Sequence, residues 1–150
     1  VYGNYGNDTL SGGENDDVLF GGQNEDIVYG NTGNDALNGN LGNDTLYGGQ
    51  GTDYLAGDGG ADVLVGNAGN DTLVGGDGAD TFVFTFGGGN DQVNDFQTGT
   101  DSLQFQDGLT YTATESDGNT LLTLSDGGTV TLIGVNRALG SAATAGWDMV

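Results

Sequence analysis

Residues 39–65 read GNLGNDTLY, GGQGTDYLA, GDGGADVLV: three nonamers in a row, each with Gly first, Asp sixth and an apolar residue eighth. Extending this frame outward divides residues 3–83 into nine nonamers without a gap. Position 1 is Gly in every copy (Gly3, Gly12, Gly21, Gly30, Gly39, Gly48, Gly57, Gly66, Gly75). Position 6 is always Asp: Asp8, Asp17, Asp26, Asp35, Asp44, Asp53, Asp62, Asp71 and Asp80. Position 8 is always apolar, from Leu10 to Phe82, and position 4 is Gly except for Asn15 and Asn24. Asn is the usual substitute where the backbone adopts positive φ. Val1 and Tyr2 read as positions 8 and 9 of a further repeat upstream. Phe86 to Val93 gives one degenerate copy, with Asp91 at position 6.

Positions 1 to 6 have the composition of a turn, and positions 7 to 9 that of a strand about three residues long. Alternation along that strand turns position 8 inward and positions 7 and 9 outward. One unit buries one side only, so two must face each other. A coil is then 18 residues of strand, turn, strand and turn, and coils stack as parallel strands about 4.8 Å apart. Odd repeats bring Asp8, Asp26, Asp44, Asp62 and Asp80 onto one edge. Even repeats bring Asp17, Asp35, Asp53, Asp71 and Asp91 onto the other.

Such columns repel. Neighbouring carboxylates about 5 Å apart cost about 3 kcal/mol at an effective dielectric of 20. With one Lys or Arg against 22 Asp and Glu, the formal charge is −21, and the chain cannot neutralise itself. Nucleic acid and anionic membrane surfaces are poor partners for this field, and no apolar run approaches the ~18 residues of a membrane span. There is no Cys, so disulfides cannot brace the array. There is no His, which excludes zinc-protease helices, Ser-His-Asp triads and imidazole bases.

A hard divalent cation reverses the sign of the repulsion. Ca²⁺ takes six to eight oxygens in flexible geometry, from carboxylates and carbonyls alike, and glycine turns let carbonyls approach it. The usual His and Cys ligands of Zn²⁺ are missing, and Mg²⁺ retains water and demands an octahedron. Five Asp on each edge leave four gaps, which predicts about eight Ca²⁺ ions.

The nonamers match G-G-x-G-x-D-x-U-x, and on these residues the chain resembles the repeats-in-toxin (RTX), or haemolysin-type, calcium-binding proteins. The resemblance implies an all-β fold, a right-handed parallel β-roll (a β-solenoid of 18 residues per coil) followed by a small β capping segment. It also implies ions held by the position-6 Asp, Asp91 included, and by position-4 carbonyls. Those carbonyls belong to Gly6, Asn15, Asn24, Gly33, Gly42, Gly51, Gly60, Gly69 and Gly78. Residues 84–105 resemble the segment that follows such arrays, and 109–134 read as a hairpin meander with turns at Asp117-Gly118 and Asp126-Gly127-Gly128. The expected division is a roll over 1–93 and a cap with tail over 94–150. The ending Trp147-Asp148-Met149-Val150 resembles an uncleaved type I secretion signal.

By that resemblance the chain is a calcium-binding module that folds outside the cell and supports secretion and stability of a larger secreted protein. Its partners would be calcium and the type I secretion apparatus, with no nucleic acid and no membrane insertion. It would itself be non-catalytic, the C-terminal part of a protease, lipase, epimerase, toxin or adhesin. The alternative is a calcium-dependent cell-surface, adhesin or filament subunit. An outer face carrying Ile27, Tyr29, Tyr47, Val63, Val65 and Val83 is a candidate for self-association. Position 3 runs Tyr5, Glu14, Gln23, Thr32, Leu41, Gln50, Gly59, Ala68, Asp77, without the Thr or Asn ladder that an ice-binding face needs.

Overall fold

The structure is a computed structural model that describes residues 1–135; Arg137 and the Trp147–Val150 ending lie outside the described residues. The first ten strands are β1 (Tyr2–Tyr5), β2 (Thr9–Glu14), β3 (Val18–Gln23), β4 (Ile27–Thr32), β5 (Ala36–Leu41), β6 (Thr45–Gln50), β7 (Tyr54–Gly59), β8 (Val63–Ala68), β9 (Thr72–Asp77) and β10 (Thr81–Phe84). After them come β11 (Asn90–Val93), β12 (Ser102–Phe105), β13 (Tyr111–Ser116), β14 (Asn119–Leu124) and β15 (Thr129–Leu132).

Strands alternate between two sheets. One runs β2-β4-β6-β8-β10-β12, and the other β1-β3-β5-β7-β9-β11 and then β15-β14-β13. The parallel register is 18 residues through the array: Leu10 pairs with Val28, Val28 with Leu46 and Leu46 with Leu64. The molecule is therefore a parallel β-solenoid of 18 residues per coil.

Strands β2 to β9 are six residues long instead of three. Positions 1 to 3 of each following unit continue the pleat, and only positions 4 to 6 turn. The position-1 glycines look like turn residues in the sequence, yet most lie buried in the strand. They are glycine because the inward slot beside them holds the Asp carboxylate. Position 2 is Gly, Asn or Asp for a conformational reason, since Asn4, Asn31, Asn40, Asp58 and Asn67 all have φ between 68° and 80°. This left-handed residue bends the strand before the turn. Asn15 and Asn24 at position 4 share that conformation, both with φ 78°.

Position 8 forms the core. Leu10, Val28, Leu46, Leu64 and Phe82 of one sheet face Leu19, Leu37, Leu55 and Leu73 of the other, none more than 5 % exposed. Each such side chain contributes roughly 1.5–3 kcal/mol of burial. Val93, Leu103 and Leu132 carry the two rows past the nonamers. Position 9 is less uniform than alternation suggests. Tyr29 is exposed, but Val65 and Val83, adjoining in the same row, are buried. The exposed apolar face on this sheet is accordingly narrower than the sequence implies.

Beyond β12 the chain folds into an antiparallel meander, β13 with β14 and β14 with β15. Asp117 (φ 53°) and Gly118 (φ 83°) form the two-residue turn of the β13–β14 hairpin, the conformation that an Asp-Gly pair favours. β15 returns parallel to β11, with Asp91 opposite Val130 and Val93 opposite Leu132. The hairpin thus extends the sheet at the end of the solenoid.

Candidate metal centre

Each turn delivers its Asp side chain inward. Asp26, Asp35, Asp44, Asp53, Asp62, Asp71 and Asp80 are 1–3 % exposed, and Asp91 is 6 % exposed. The two carboxylate oxygens differ. Oδ1 accepts the backbone N–H of the Asp one coil earlier: Asp26 from Asp8, Asp44 from Asp26, Asp62 from Asp44 and Asp80 from Asp62, at 2.7–2.9 Å. On the other edge Asp35, Asp53, Asp71 and Asp91 accept from Asp17, Asp35, Asp53 and Asp71 at 2.8–3.0 Å. Oδ2 has no hydrogen-bond partner in any of Asp8, Asp17, Asp26, Asp35, Asp44, Asp53, Asp62, Asp71 or Asp80. A buried carboxylate oxygen left alone is costly, and here it recurs once per repeat.

Carbonyls line the same gaps. A Cβ built on Gly57 would meet Asp62 Oδ2 and, at 2.7 Å, the carbonyl of Gly75 in the next coil. Gly12, Gly21, Gly30, Gly39 and Gly48 show the same pair of oxygens from their own Asp and the following coil, all closer than 3.0 Å. The position-4 carbonyls point along the stack: those of Asn15, Asn24, Gly33, Gly42, Gly51 and Gly60 abut the position-4 glycine of the next coil. No backbone hydrogen bond among the described residues ends on them. From Gly12 to Gly57 each gap therefore sets an unpartnered carboxylate oxygen beside a position-1 carbonyl of the next coil, both hard oxygen donors, in a cradle that a side chain at the position-1 glycine would fill.

The field in the gaps is unfavourable to the bare protein. Burial is the main cause that pushes Asp53 up to about 6 and Asp62 and Asp91 up to about 7, with neighbouring Asp charges adding to it and a backbone N–H opposing it. Burial raises Asp35, Asp44, Asp71 and Asp80 as well. Carboxylates that resist ionisation, stacked in register with one oxygen unpartnered, suit a divalent cation with oxygen ligands.

The family model for the RTX calcium-binding nonapeptide repeat (4 copies) matches residues 2–37, 29–64 and 56–93. The chain belongs to this family. Comparison with curated proteins finds none that matches the chain. Among solved structures, the RTX chain is similar to the AlgE6R3 subunit of the mannuronan C5-epimerase from Azotobacter vinelandii, at 27% identity and TM-score 0.48, over 89% of this chain and 84% of that one. It is also similar to the extracellular lipase LipA of Serratia marcescens, at 17% identity and TM-score 0.41, over 88% of this chain and 38% of the lipase.

The RTX solenoid stacks the ten Asp read from the sequence in two columns through their N–H to Oδ1 bonds; the carbonyls nearest their Oδ2 atoms are those of position 1, and the position-4 carbonyls lie against the position-4 glycines of the next coil. One carboxylate escaped that reading. Asp101 is 2 % exposed, and its Oδ1 accepts the N–H of Asp80 at 3.0 Å, so it continues the odd-repeat column. Its signal was the run Gly99-Thr-Asp101-Ser-Leu103, which has Gly, Asp and an apolar residue at the spacing of positions 4, 6 and 8.

Proposed function

We propose that this chain is a calcium-dependent folding and stability module of a larger secreted protein. The observation that carries this reading is the row of nine buried Asp Oδ2 atoms without a donor. In the gaps, Ca²⁺ would supply positive charge to those oxygens and to the carbonyls of Gly6, Asn15, Asn24, Gly33, Gly42, Gly51, Gly60, Gly69 and Gly78. Four gaps on each edge correspond to about eight ions. Residues 1–93 form the roll in this reading, and 94–150 the cap and secretion tail.

The chain's own residues explain why folding waits for calcium. Glycine-rich turns lose much conformational freedom on ordering, and the ordered state then crowds like charges. Where calcium is scarce, the acidic array stays unfolded and can pass a type I secretion channel. Outside the cell, binding energy becomes folding energy. Circular dichroism in chelator and then in millimolar calcium tests this. A disordered spectrum that turns to β on adding calcium is expected; the same β spectrum in both would remove the proposal.

A second reading, a calcium-dependent surface or filament subunit, draws on the outer faces. Tyr29 and Tyr47 stack at 5.0 Å, Tyr2 and Phe20 at 4.9 Å, and Tyr5, Leu41 and Tyr54 are exposed. Electron microscopy with calcium distinguishes the two, since ordered polymers belong only to the second.

A further inference from the structure

Position 9 of the strands β2, β4, β6, β8 and β10 forms one row along the solenoid, Ser11, Tyr29, Tyr47, Val65 and Val83, each residue paired with the next. Within that row two phenols stand side by side. Tyr29 lies opposite Tyr47, their ring centroids are 5.0 Å apart, and the ring planes differ by 6°. That separation is the rung spacing of a parallel sheet, so the period itself brings the rings together. The row also isolates them, with Ser11 on one side and Val65 on the other.

No other tyrosine has a phenol for a ring neighbour among the described residues. Tyr2 stacks on Phe20, and Tyr111 lies against Phe105. Tyr5 pairs with Gln23, and Tyr54 stands between Ala36 and Thr72 in its row.

The Tyr29–Tyr47 pair is accessible. Tyr29 is 37 % exposed, and a groove of about 510 Å³ runs along both rings, walled by Asn31, Gln50 and Asn67. Gly49 sits between Asn31 and Asn67 in the stack and leaves the middle of the groove without a side chain. A ring has room to turn there, and a small oxidant has room to reach it.

Two adjacent phenols have a chemistry that one alone lacks. A one-electron oxidant takes an electron from a phenol, its O–H proton goes to water, and a radical remains, shared between the oxygen and the Cε carbons. Two such radicals held together couple. A bond forms between one Cε of each ring, and the hydrogens on those carbons return to the phenol oxygens. Hydrogen peroxide, acting through a haem peroxidase, takes up the two electrons and two protons and becomes two waters. The chain has no Cys, so no thiol of its own intercepts the radicals.

We infer that Tyr29 and Tyr47 form an oxidative modification site, at which peroxide and a peroxidase join them into an intrachain dityrosine. The new bond links β4 to β6 and closes a loop of one coil, which restricts the unfolded chain as a disulfide does. It is a covalent brace that needs no thiol. What brings the rings together is the register of the solenoid, so the site stands apart from the calcium reading.

To test this, the full chain in millimolar calcium is treated with a haem peroxidase and hydrogen peroxide. Dityrosine fluorescence, intact mass and linked peptides are then read. The expected product is a monomer two hydrogens lighter, with Tyr29 joined to Tyr47. Tyr29→Phe and Tyr47→Phe keep a stacked ring without the phenol, and each should lose that product. In chelator, where circular dichroism shows a disordered chain, the yield should fall about tenfold, because chance encounter replaces a fixed geometry. No intrachain link, a product joined only between chains, or a yield unchanged by Tyr29→Phe would overturn the site. So would an equal yield from a chain whose spectrum is disordered. Equal yields with a β spectrum in both conditions would uphold the site and remove the calcium reading instead.

Discussion

Asp44 donates its backbone N–H to Oδ1 of Asp62, one coil further on, at 2.8 Å, while Oδ2 of Asp62 has no donor at all. One oxygen locks the stack through the backbone, and the other is left over for something the chain does not contain. Replacing Asp62 by Asn keeps an Oδ1 acceptor but removes the charge and puts an NH₂ group among carbonyls. The calcium midpoint of folding should rise by about tenfold or more, because affinity in such sites follows the charge of the ligands. Asp8→Asn, in the first and less buried turn, should shift it less. Titrations followed by circular dichroism compare the two.

Glycine at position 4 serves a close approach and not merely a turn. Gly60 has φ 142°, and a Cβ there would run into the carbonyl of Gly42, one of the carbonyls offered to the cation. Gly6 has φ 106° but no atom within 4 Å of its Cβ position. Gly6→Ala should therefore cost only the backbone strain of about 1–2 kcal/mol, and Gly60→Ala distinctly more. Thermal melts in saturating calcium measure the difference.

The raised carboxyls fix the sign of the pH response. In the folded chain Asp53, Asp62 and Asp91 keep protons up to about 6 to 7, whereas their ordinary value is 3.8. Protonation therefore favours the fold below 3.8, and that contribution is lost as pH rises through 6 to 7. In chelator, acidification from pH 8 towards 4 should increase β structure. In calcium the opposite trend is expected, since ligation requires the ionised form, and the calcium midpoint should worsen below pH 7. A calcium midpoint independent of pH over this range would contradict the assignment.

The core row predicts a further coupling. Leu64 is fully buried between the sheets, and Leu64→Ala should destabilise the solenoid by about 2–5 kcal/mol. If folding and binding are one process, the loss should appear as a higher calcium requirement at an unchanged number of bound ions. Calorimetric titration reads both quantities.

The period made the columns legible. An Asp at one position and an apolar residue two places later, repeated every nine residues, determine which side chains stack and which face inward. Strand length was hidden because Gly12 or Gly21 carries the composition of a turn while lying inside a strand; its reason is the neighbouring carboxylate, which no local propensity records. Asp101 was hidden because Phe96 and Gln97 stand where the glycine pair belongs and the spacing lengthens to 21. The buried state of Val65 and Val83 is likewise invisible to an alternation rule, which assigns them outward.

Hydrogen exchange at the amides of Asp26, Asp35, Asp44, Asp53 and Asp62 tests the central claim most directly, because each of these N–H groups donates to the carboxylate that would hold the ion. These amides should be strongly protected in millimolar calcium and exchange freely in chelator at neutral pH. Equal protection in both conditions would show that the columns stand without a cation, and the account would fail.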